Sequence, residues 1–544
     1  MLIAFLHLLV LLFCVLGYSG FLKKIILNQK NFEINNIDCI YGYTFLIFTS
    51  ILLNFFTPLK NITSIIILLG LFLFSYFLYK KNYNLSIFKL ILVSFFLIFI
   101  SHEQGISYDS QLYHLQTIQL SSNFKTIFGI GNLQPHYGMN SSWHSFLGIL
   151  NNNYLSINLI YLANISLLCF LIGEILKKEF NLNKHLSHIF LAISIIYIFS
   201  YSFFHPYGNG TILNNLGSPE VDVVSMIFFI ISIYLYLSCN EKKSNDNFYL
   251  FSLSILLVIT IKISYIGILT IYFYYIYLNK QNLINKLNIF IFFSSFIWFL
   301  KSLFLTGCLV FPLKHTCINT NWSMNIDAVD NYSKIVQSFA RDTPLRLKFT
   351  DFDYTINSFQ WFKPWFKEYF LITEFLTISS LIIIISTIIL LLTYFRDKSD
   401  NNNQIKNYHL DLILLLILNL IIWMKAPEIR FGYGSIISLV VLLLSIIFIR
   451  YLSKKFIRFK YLLVLSIIFI PITLKNKNNY NNFTNESFVR NFDYSKFKLI
   501  YKSNDYNVFK PNDNFCNAYQ GFCTYQGYKV SIKKKNNFLF IKKD

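Results

Sequence analysis

Apolar runs alternate with short polar segments from the first residues of the chain to about Leu474. The runs reach or approach the roughly 17 to 25 residues with which a helix crosses the hydrocarbon core of a membrane. They predict about fourteen transmembrane helices, at 2–20, 39–58, 63–79, 85–101, 155–176, 186–204, 221–239, 247–261, 263–279, 288–305, 370–394, 410–424, 435–450 and 460–474. The predicted fold class is an all-α polytopic integral membrane protein, with its transmembrane domain at residues 1–474 in contact with the lipid bilayer.

The run 247–279 is too long for one ordinary span and carries Lys262 in its middle. A bare ammonium group at the centre of the bilayer costs about 2.5 kcal/mol or more. Two short helices with Lys262 at an outer turn between them avoid this cost. One long tilted helix is the alternative, and it would invert the topology of everything that follows.

The chain is 55% hydrophobic and only 13% charged, with a formal net charge of +21. Because its basic residues occur in short clusters between apolar runs, as topology signals do, the net charge does not indicate nucleic-acid binding. The positive-inside rule puts these clusters in the cytoplasm. The loops 102–154 and 306–369 are then predicted to face the outside, together with the C-terminal segment 475–544.

Residues 475–544 are rich in Asn, Lys and Tyr, and the strand-like pieces 530–532 and 538–541 flank the pair Asn536-Asn537. Such a pair is typical of a two-residue hairpin turn. The segment is predicted to be a small extracytoplasmic domain, α/β or β in structure, and a disordered basic tail is the alternative.

Four of the eight cysteines fall in the segments predicted to lie outside the cytoplasm, where disulfides persist. Cys308 with Cys317, and Cys516 with Cys523, are close in sequence and are predicted to pair. Four unpaired thiols are the alternative.

The one long polar interval in the first half of the chain begins at Tyr108. Asp109 follows a predicted span by only a few residues, so its carboxylate would lie near the outer membrane boundary, where a lipid-linked phosphate also lies. There it is a candidate catalytic base, with His114 orienting it or sharing its proton. Glu103 and His102 are the rival acid–base pair. In the alternative, Asp109 only caps the helix that begins near Ser110.

The same interval contains a group of polar and aromatic residues that suits the binding of an acceptor or a sugar. Tyr113 and Gln116 share a helix face with Asp109, and Trp143 is predicted to stack on a sugar ring. The full predicted group is Tyr113, Gln116, Asn132, His136, Asn140 and Trp143, with Gly129, Gly131 and Gly138 allowing a tight turn. A structural role is the alternative for each of them.

Glu220 and Asp222 lie at the outer mouth of the span 221–239. They are predicted to bind acceptor hydroxyls or a divalent metal, and helix capping is the alternative. Two carboxylates without a third ligand do not make a metal motif, so no metal site is predicted and the cofactor stays open.

Lys262, Lys301 and Arg430 are three cations predicted at outer helix ends. Charges in a membrane are costly, so three of them near one face suggest a shared anionic ligand such as a lipid phosphate or pyrophosphate. The alternatives are side chains that reach the interface on their own, or an Arg430–Glu428 pair.

These residues also carry a resemblance to a large family of bacterial polytopic membrane proteins. Its motifs correspond to Tyr108–Gln116, to Gly129–Trp143 with departures at Ile130 and Gln134, and to Ala426–Gly432. At Trp298–Pro312 the chain has Lys301 and Ser302 where that family has Arg-Asn. The family in turn resembles the GT-C superfamily of integral-membrane glycosyltransferases, which use polyprenyl-phosphate sugars and an acidic residue in an early outer loop.

The resemblance implies an inverting glycosyltransferase in the bacterial inner membrane, acting on its outer face. Asp109 would activate an acceptor hydroxyl, and Lys262, Lys301 or Arg430 would hold the donor phosphate. The expected partners are a polyprenyl-phosphate-linked sugar and a glycan or lipid acceptor of the cell envelope. The alternatives are a polymerase or ligase of lipid-linked oligosaccharides and a non-enzymatic polysaccharide or lipid transporter.

Overall fold

The structure is a computed structural model, and it is mostly helical. It describes residues 2–28, 32–101, 106–151, 159–177, 185–204, 215–242, 244–279, 285–342, 348, 350–372, 374–396, 407–451, 494, 497–503, 506–526 and 529–543.

Eighteen helices occupy most of the described chain up to residue 451. They are α1 Leu2–Leu27, α2 Cys39–Asn54, α3 Thr63–Tyr79, α4 Ile87–Ser101, α5 Leu115–Asn123, α6 Ser142–Leu150, α7 Ala163–Ile175, α8 Leu186–Phe204, α9 Val221–Glu241, α10 Asn245–Ile261, α11 Leu269–Asn279, α12 Lys286–Thr306, α13 Ile326–Arg341, α14 Phe352–Thr355, α15 Phe362–Ile372, α16 Glu374–Arg396, α17 Asn407–Trp423 and α18 Ile429–Tyr451.

Each predicted span from 2–20 to 435–450 contains one of these helices, because a continuous apolar run satisfies its backbone hydrogen bonds locally only as a helix. Among the described residues, five helices are long and apolar enough to cross a membrane, at Leu2–Leu27, Asn36–Asn54, Val221–Glu241, Lys286–Thr306 and Ile429–Ile449. Eight further apolar helices in the same described ranges are shorter. The predicted span 460–474 lies outside the described residues.

The long run 247–279 breaks at Lys262, as the prediction of two short helices requires. α10 ends at Ile261, and Lys262 itself has extended backbone angles, φ −147° and ψ 107°. A 3-10 segment and α11 then run back along α10, so that Tyr275 of α11 stacks on Phe248 near the start of α10, with ring centroids 5.6 Å apart. The turn leaves Lys262 at the end of a helical hairpin rather than inside a span.

Side-chain contacts identify the two ends of the helix bundle. At one end, the Nζ of Lys23 lies 2.9 Å from Asp38 and 2.8 Å from Asp246, and the Tyr41 hydroxyl donates to Asp246. This network joins the end of α1 to the starts of α2 and α10. At the opposite end are the starts of α9 and α18 and the ends of α10 and α12. That second end carries the polar segment 106–141.

The described residues after 451 form five strands: β1 Phe497–Ser503, β2 Tyr506–Pro511, β3 Phe522–Cys523, β4 Val530–Lys535 and β5 Phe538–Lys543. β1 pairs antiparallel with β2, β3 is parallel to β2, and β4 with β5 forms the predicted hairpin. Asn536 and Asn537 have φ of 49° and 64°, in the left-handed region that this tight turn requires. Of the two structures predicted for this segment, α/β and β, the described residues therefore have the β structure.

The strands pack on the segment 106–141. The backbones of Phe128 and Ile541 are hydrogen-bonded at 2.8 Å, and Gly129 between α5 and α6 has φ 72°. A Cβ on Gly129 would come within 2.3 Å of the Ile541 carbonyl oxygen, so only glycine fits this approach. Both predicted disulfides, Cys308–Cys317 and Cys516–Cys523, are present.

Candidate functional site

A charged cluster at the second end of the bundle joins three separate segments of the sequence. Arg430, the second residue of α18, donates from Nη1 to the Asp109 carboxylate at 2.7 Å, across 321 positions of sequence. The same Nη1 lies 3.5 Å from Asp222 Oδ2 and 3.9 Å from Glu220 Oε1, at the start of α9. Two acidic motifs and the Arg430 motif, singled out separately in the sequence, therefore form one site.

A second cation belongs to this cluster. The Nζ of Lys262, at the α10 turn, forms an ion pair with Asp222 Oδ1 and lies 4.1 Å from the centre of the Phe431 ring. Asp222 is thus held between Lys262 and Arg430. The predicted pair of Arg430 with Glu428 exists too, at 3.4 Å, in addition to the contacts that Arg430 makes with the other carboxylates.

The geometry decides against helix capping by Asp109 and Glu220. Both residues occupy the position before a helix, yet neither side chain makes a capping hydrogen bond. Asp109 instead directs its carboxylate to Arg430, and its side chain keeps 23% of its surface exposed. It is therefore within reach of an incoming molecule.

The carboxyl groups of the cluster differ in pKa. Burial raises the pKa of Asp109, but the charge of the Arg430 guanidinium outweighs this effect and holds the pKa below its usual range. Burial, together with the charges of Asp222 and Asp109, raises the pKa of Glu220 well above its usual range. Asp109 is thus a carboxylate at neutral pH, whereas Glu220 holds its proton more strongly than an ordinary glutamate does.

His114 is buried beneath Asp109 on a π-helical turn, Ser110–His114. Its Nδ1 lies 3.2 Å from the Ser110 hydroxyl, which accepts at 2.8 Å from Ser218 in the loop before α9. The His114 ring also touches the His144 ring of α6, with centroids 4.7 Å apart. Burial lowers the pKa of His114 to about 4, so this imidazole is neutral near pH 7.

Lys301 lies apart from the cluster, contrary to the prediction that the three cations gather. Its ammonium is buried near the end of α12 and donates to the Ser145 hydroxyl of α6. Among the described residues no carboxylate lies within ion-pair distance of it. Arg430 and Lys262 therefore belong to the charged cluster, and Lys301 lies outside it.

Most of the predicted sugar-binding residues hold the fold together. Gln116 donates to the Gly521 carbonyl, Asn132 to the Trp322 and Ile541 carbonyls, and Asn140 to the Trp298 carbonyl. His136 shares a hydrogen bond of 2.8 Å with the Tyr525 hydroxyl and packs against Tyr113, centroids 4.7 Å apart. These contacts tie the C-terminal strands and the loop after α12 to the segment 106–141.

The prediction that Trp143 stacks on a sugar is wrong for this structure. Its ring is fully buried among Tyr43 and Phe146, and its Nε1 donates to Asn164 Oδ1 at 3.1 Å. Trp143 follows the first residue of α6 and points into the core, so it has no surface to offer a ligand.

Sequence reasoning missed residues that position the site. Asn164 of α7 donates to the carbonyls of Ser218 and Glu220 at 2.9 and 3.0 Å, which fixes the start of α9. Tyr525 was missed as well. The only available signal for Asn164 was a lone amide inside an apolar run, which is costly unless hydrogen-bonded.

In the ranges that the structure describes, no group of three or more His, Cys, Asp or Glu side chains is arranged to hold a metal ion. Glu220 and Asp222 face Arg430 and Lys262 instead, so the positive charge at this site comes from the protein. The rival pair His102 and Glu103 lies outside the described residues.

Searches of curated proteins and of solved structures return no match to this chain. Residues 1–437 match a family model, which includes every residue of the charged cluster, the histidines and Lys301. The chain therefore belongs to the family described as "Domain of unknown function (DUF8201)".

Proposed function

We propose that the protein is a membrane glycosyltransferase that moves a sugar from a polyprenyl-phosphate donor to a hydroxyl of a cell-envelope glycan or lipid, with inversion at the anomeric carbon. The observation that carries the proposal is the Asp109–Arg430 pair. It joins an ionised, partly exposed carboxylate to a buried network at the ends of apolar helices, where a lipid-linked substrate can reach it.

In the proposed reaction, the acceptor oxygen attacks the anomeric carbon while the bond from that carbon to the phosphate oxygen breaks. The electron pair of the breaking bond leaves with polyprenyl phosphate. The acceptor hydroxyl becomes strongly acidic as its oxygen bonds to carbon, so even a carboxylate of low pKa takes its proton. Asp109 is that carboxylate, and it later releases the proton to water.

Arg430 and His114 act through Asp109 in this mechanism. Arg430 keeps the carboxylate ionised and fixes its direction through the 2.7 Å contact. His114, held by Ser110, supports the turn on which Asp109 stands, and its neutral ring adds no second positive charge. Both are positioning residues, because neither has to touch the acceptor.

The proposal includes the finer topology: fourteen spans, with the charged cluster facing the outside of a bacterial inner membrane. The opposite end of the bundle supports this direction, since Lys23, Lys24, Lys80 and Lys81 belong to its loops and helix ends, as the positive-inside rule expects of a cytoplasmic face.

The test is transfer of radiolabelled sugar from polyprenyl-phosphate donors to extracted cell-envelope acceptors, in membranes that hold equal amounts of folded wild type or Asp109→Asn. We expect the variant to lose about 100-fold or more in rate. Asp330→Asn is the matched control, because Asp330 is another outer-loop aspartate that pairs with two lysines. It should transfer at the wild-type rate.

Equal transfer by Asp109→Asn and wild type would exclude Asp109 as the base. If neither protein transferred sugar and the donor moved across the bilayer of sealed vesicles, the protein would be a transporter and not an enzyme. Release of polyprenyl pyrophosphate rather than polyprenyl phosphate would identify a polymerase or ligase.

A further inference from the structure

A cavity lies between α12 and the segment that links α5 to α6, next to the charged cluster but separate from it. Two lysines, Lys125 and Lys301, line it, and no carboxylate does. Asn140, Ser141 and His144 are among its other polar lining residues, with Asn54, Thr117, Ser121, Thr126 and Tyr137. A cavity with two cations and no counter-charge is suited to an anion.

Polar atoms on the cavity wall lack partners. Both ring nitrogens of His144, which is 4% exposed, have no hydrogen-bond partner, and neither do Asn140 Oδ1 and Ser141 Oγ. Buried polar groups in native proteins are almost always satisfied. A ligand whose oxygens accept and donate hydrogen bonds would satisfy all of them.

Lys301 strengthens the case for an anion. Its side chain is only 7% exposed, and within the described part of the chain the polar contact of its ammonium is the Ser145 hydroxyl. A buried ammonium is costly without a compensating charge. Arg430 and Lys262 already have carboxylate partners, whereas Lys301 has none among the described residues.

The shape and depth of the cavity point to a small group on a lipid. Its empty volume of about 470 Å³ includes open space at the mouth, so the enclosed part is smaller and suits a phosphate rather than a whole sugar. Leu120, Ile127, Ile130 and Leu305 form an apolar side. Lys301 comes five residues before the end of α12, roughly 7 Å along the axis, close to where lipid phosphates lie.

We propose that this cavity binds a phosphate group, and that Lys301 is its main ligand with Lys125 at the mouth. The identification of the phosphate as that of the polyprenyl donor rests on the proposed function; free phosphate is the other source of the same chemistry. Two histidines would then connect the phosphate to the charged cluster. His144 lines the cavity, and its ring touches the ring of His114, which lies beneath Asp109.

The test is equilibrium binding of radiolabelled polyprenyl phosphate, without sugar, to the full chain in lipid nanodiscs. Lys301→Met should weaken binding about tenfold or more, since it removes a charge-assisted contact from a desolvated site. Lys125 is half-buried, so Lys125→Met should disturb folding less, and we expect it to weaken binding about threefold. The control Lys314→Met, at an outer-loop lysine that pairs with Asp330, should bind like wild type.

Competition experiments distinguish polyprenyl phosphate from free phosphate as the occupant of the cavity. Polyprenol without phosphate should not compete, whereas inorganic phosphate that displaces the label at equal concentration would identify free phosphate as the occupant. Unchanged binding by both Lys301→Met and Lys125→Met would overturn the proposal. Because no sugar is transferred, a loss of binding with Lys301→Met would stand even if Asp109→Asn proved fully active, and the reverse also holds.

Discussion

Asp222→Asn should destabilise the protein by about 3–5 kcal/mol, because breaking a buried ion pair leaves its partner charge without compensation. Asp222 is 7% exposed and lies between Lys262 and Arg430, at the point where α9, α10 and α18 meet. An amide in its place cannot neutralise either cation. We expect a clear fall in the apparent melting temperature of the detergent-solubilised protein.

Glu220→Gln is the matched control, two residues away on the same helix start. The raised pKa of Glu220 favours its neutral form, so the neutral amide should change stability by less than about 1 kcal/mol. The double variant Asp222→Asn with Lys262→Met should recover part of the loss, since it removes both partners of the pair. Equal melting temperatures for Asp222→Asn and Glu220→Gln would contradict the charge assignment of the cluster.

Trp143→Ala should cost about 3–5 kcal/mol, the usual effect of emptying a large aromatic site in a core. The ring is fully buried, 4.9 Å from Phe146 and 5.7 Å from Tyr43 between ring centroids, so its removal leaves a cavity that the rigid helix ends cannot fill. The measurement is again the apparent melting temperature.

Trp143→Phe is a more conservative substitution at the same position. It keeps most of the apolar contact but removes the hydrogen bond to Asn164, so a loss of about 1–2 kcal/mol is expected. If both variants melted like wild type but bound acceptor poorly, Trp143 would be a ligand-stacking residue after all.

The helices were predictable because a long apolar run has only one way to satisfy its backbone in a membrane. The break at Lys262 was predictable from the cost of a buried charge, and both disulfides from the short spacing of their cysteines. The β-hairpin was predictable from Asn536-Asn537, since few other pairs adopt its turn.

The partners of individual side chains were not predictable. Lys262, Lys301 and Arg430 all stand near helix ends, but the rotation of each helix about its own axis decides whether a side chain faces Asp222 or Ser145. Sequence periodicity is weak where a helix is apolar all round, so this rotation cannot be inferred from it. For the same reason, Trp143 could not be assigned to the core rather than to the surface.

The separation of Asp109 from Arg430 by 321 positions has a consequence for biosynthesis. At about 5–20 residues per second, roughly 15–60 s pass between the synthesis of the aspartate and that of its arginine. During that interval the early helices are already in the membrane with an unpaired acidic group at their end. The first half of the protein therefore lacks the counter-charge of Asp109 until α18 has been inserted beside it.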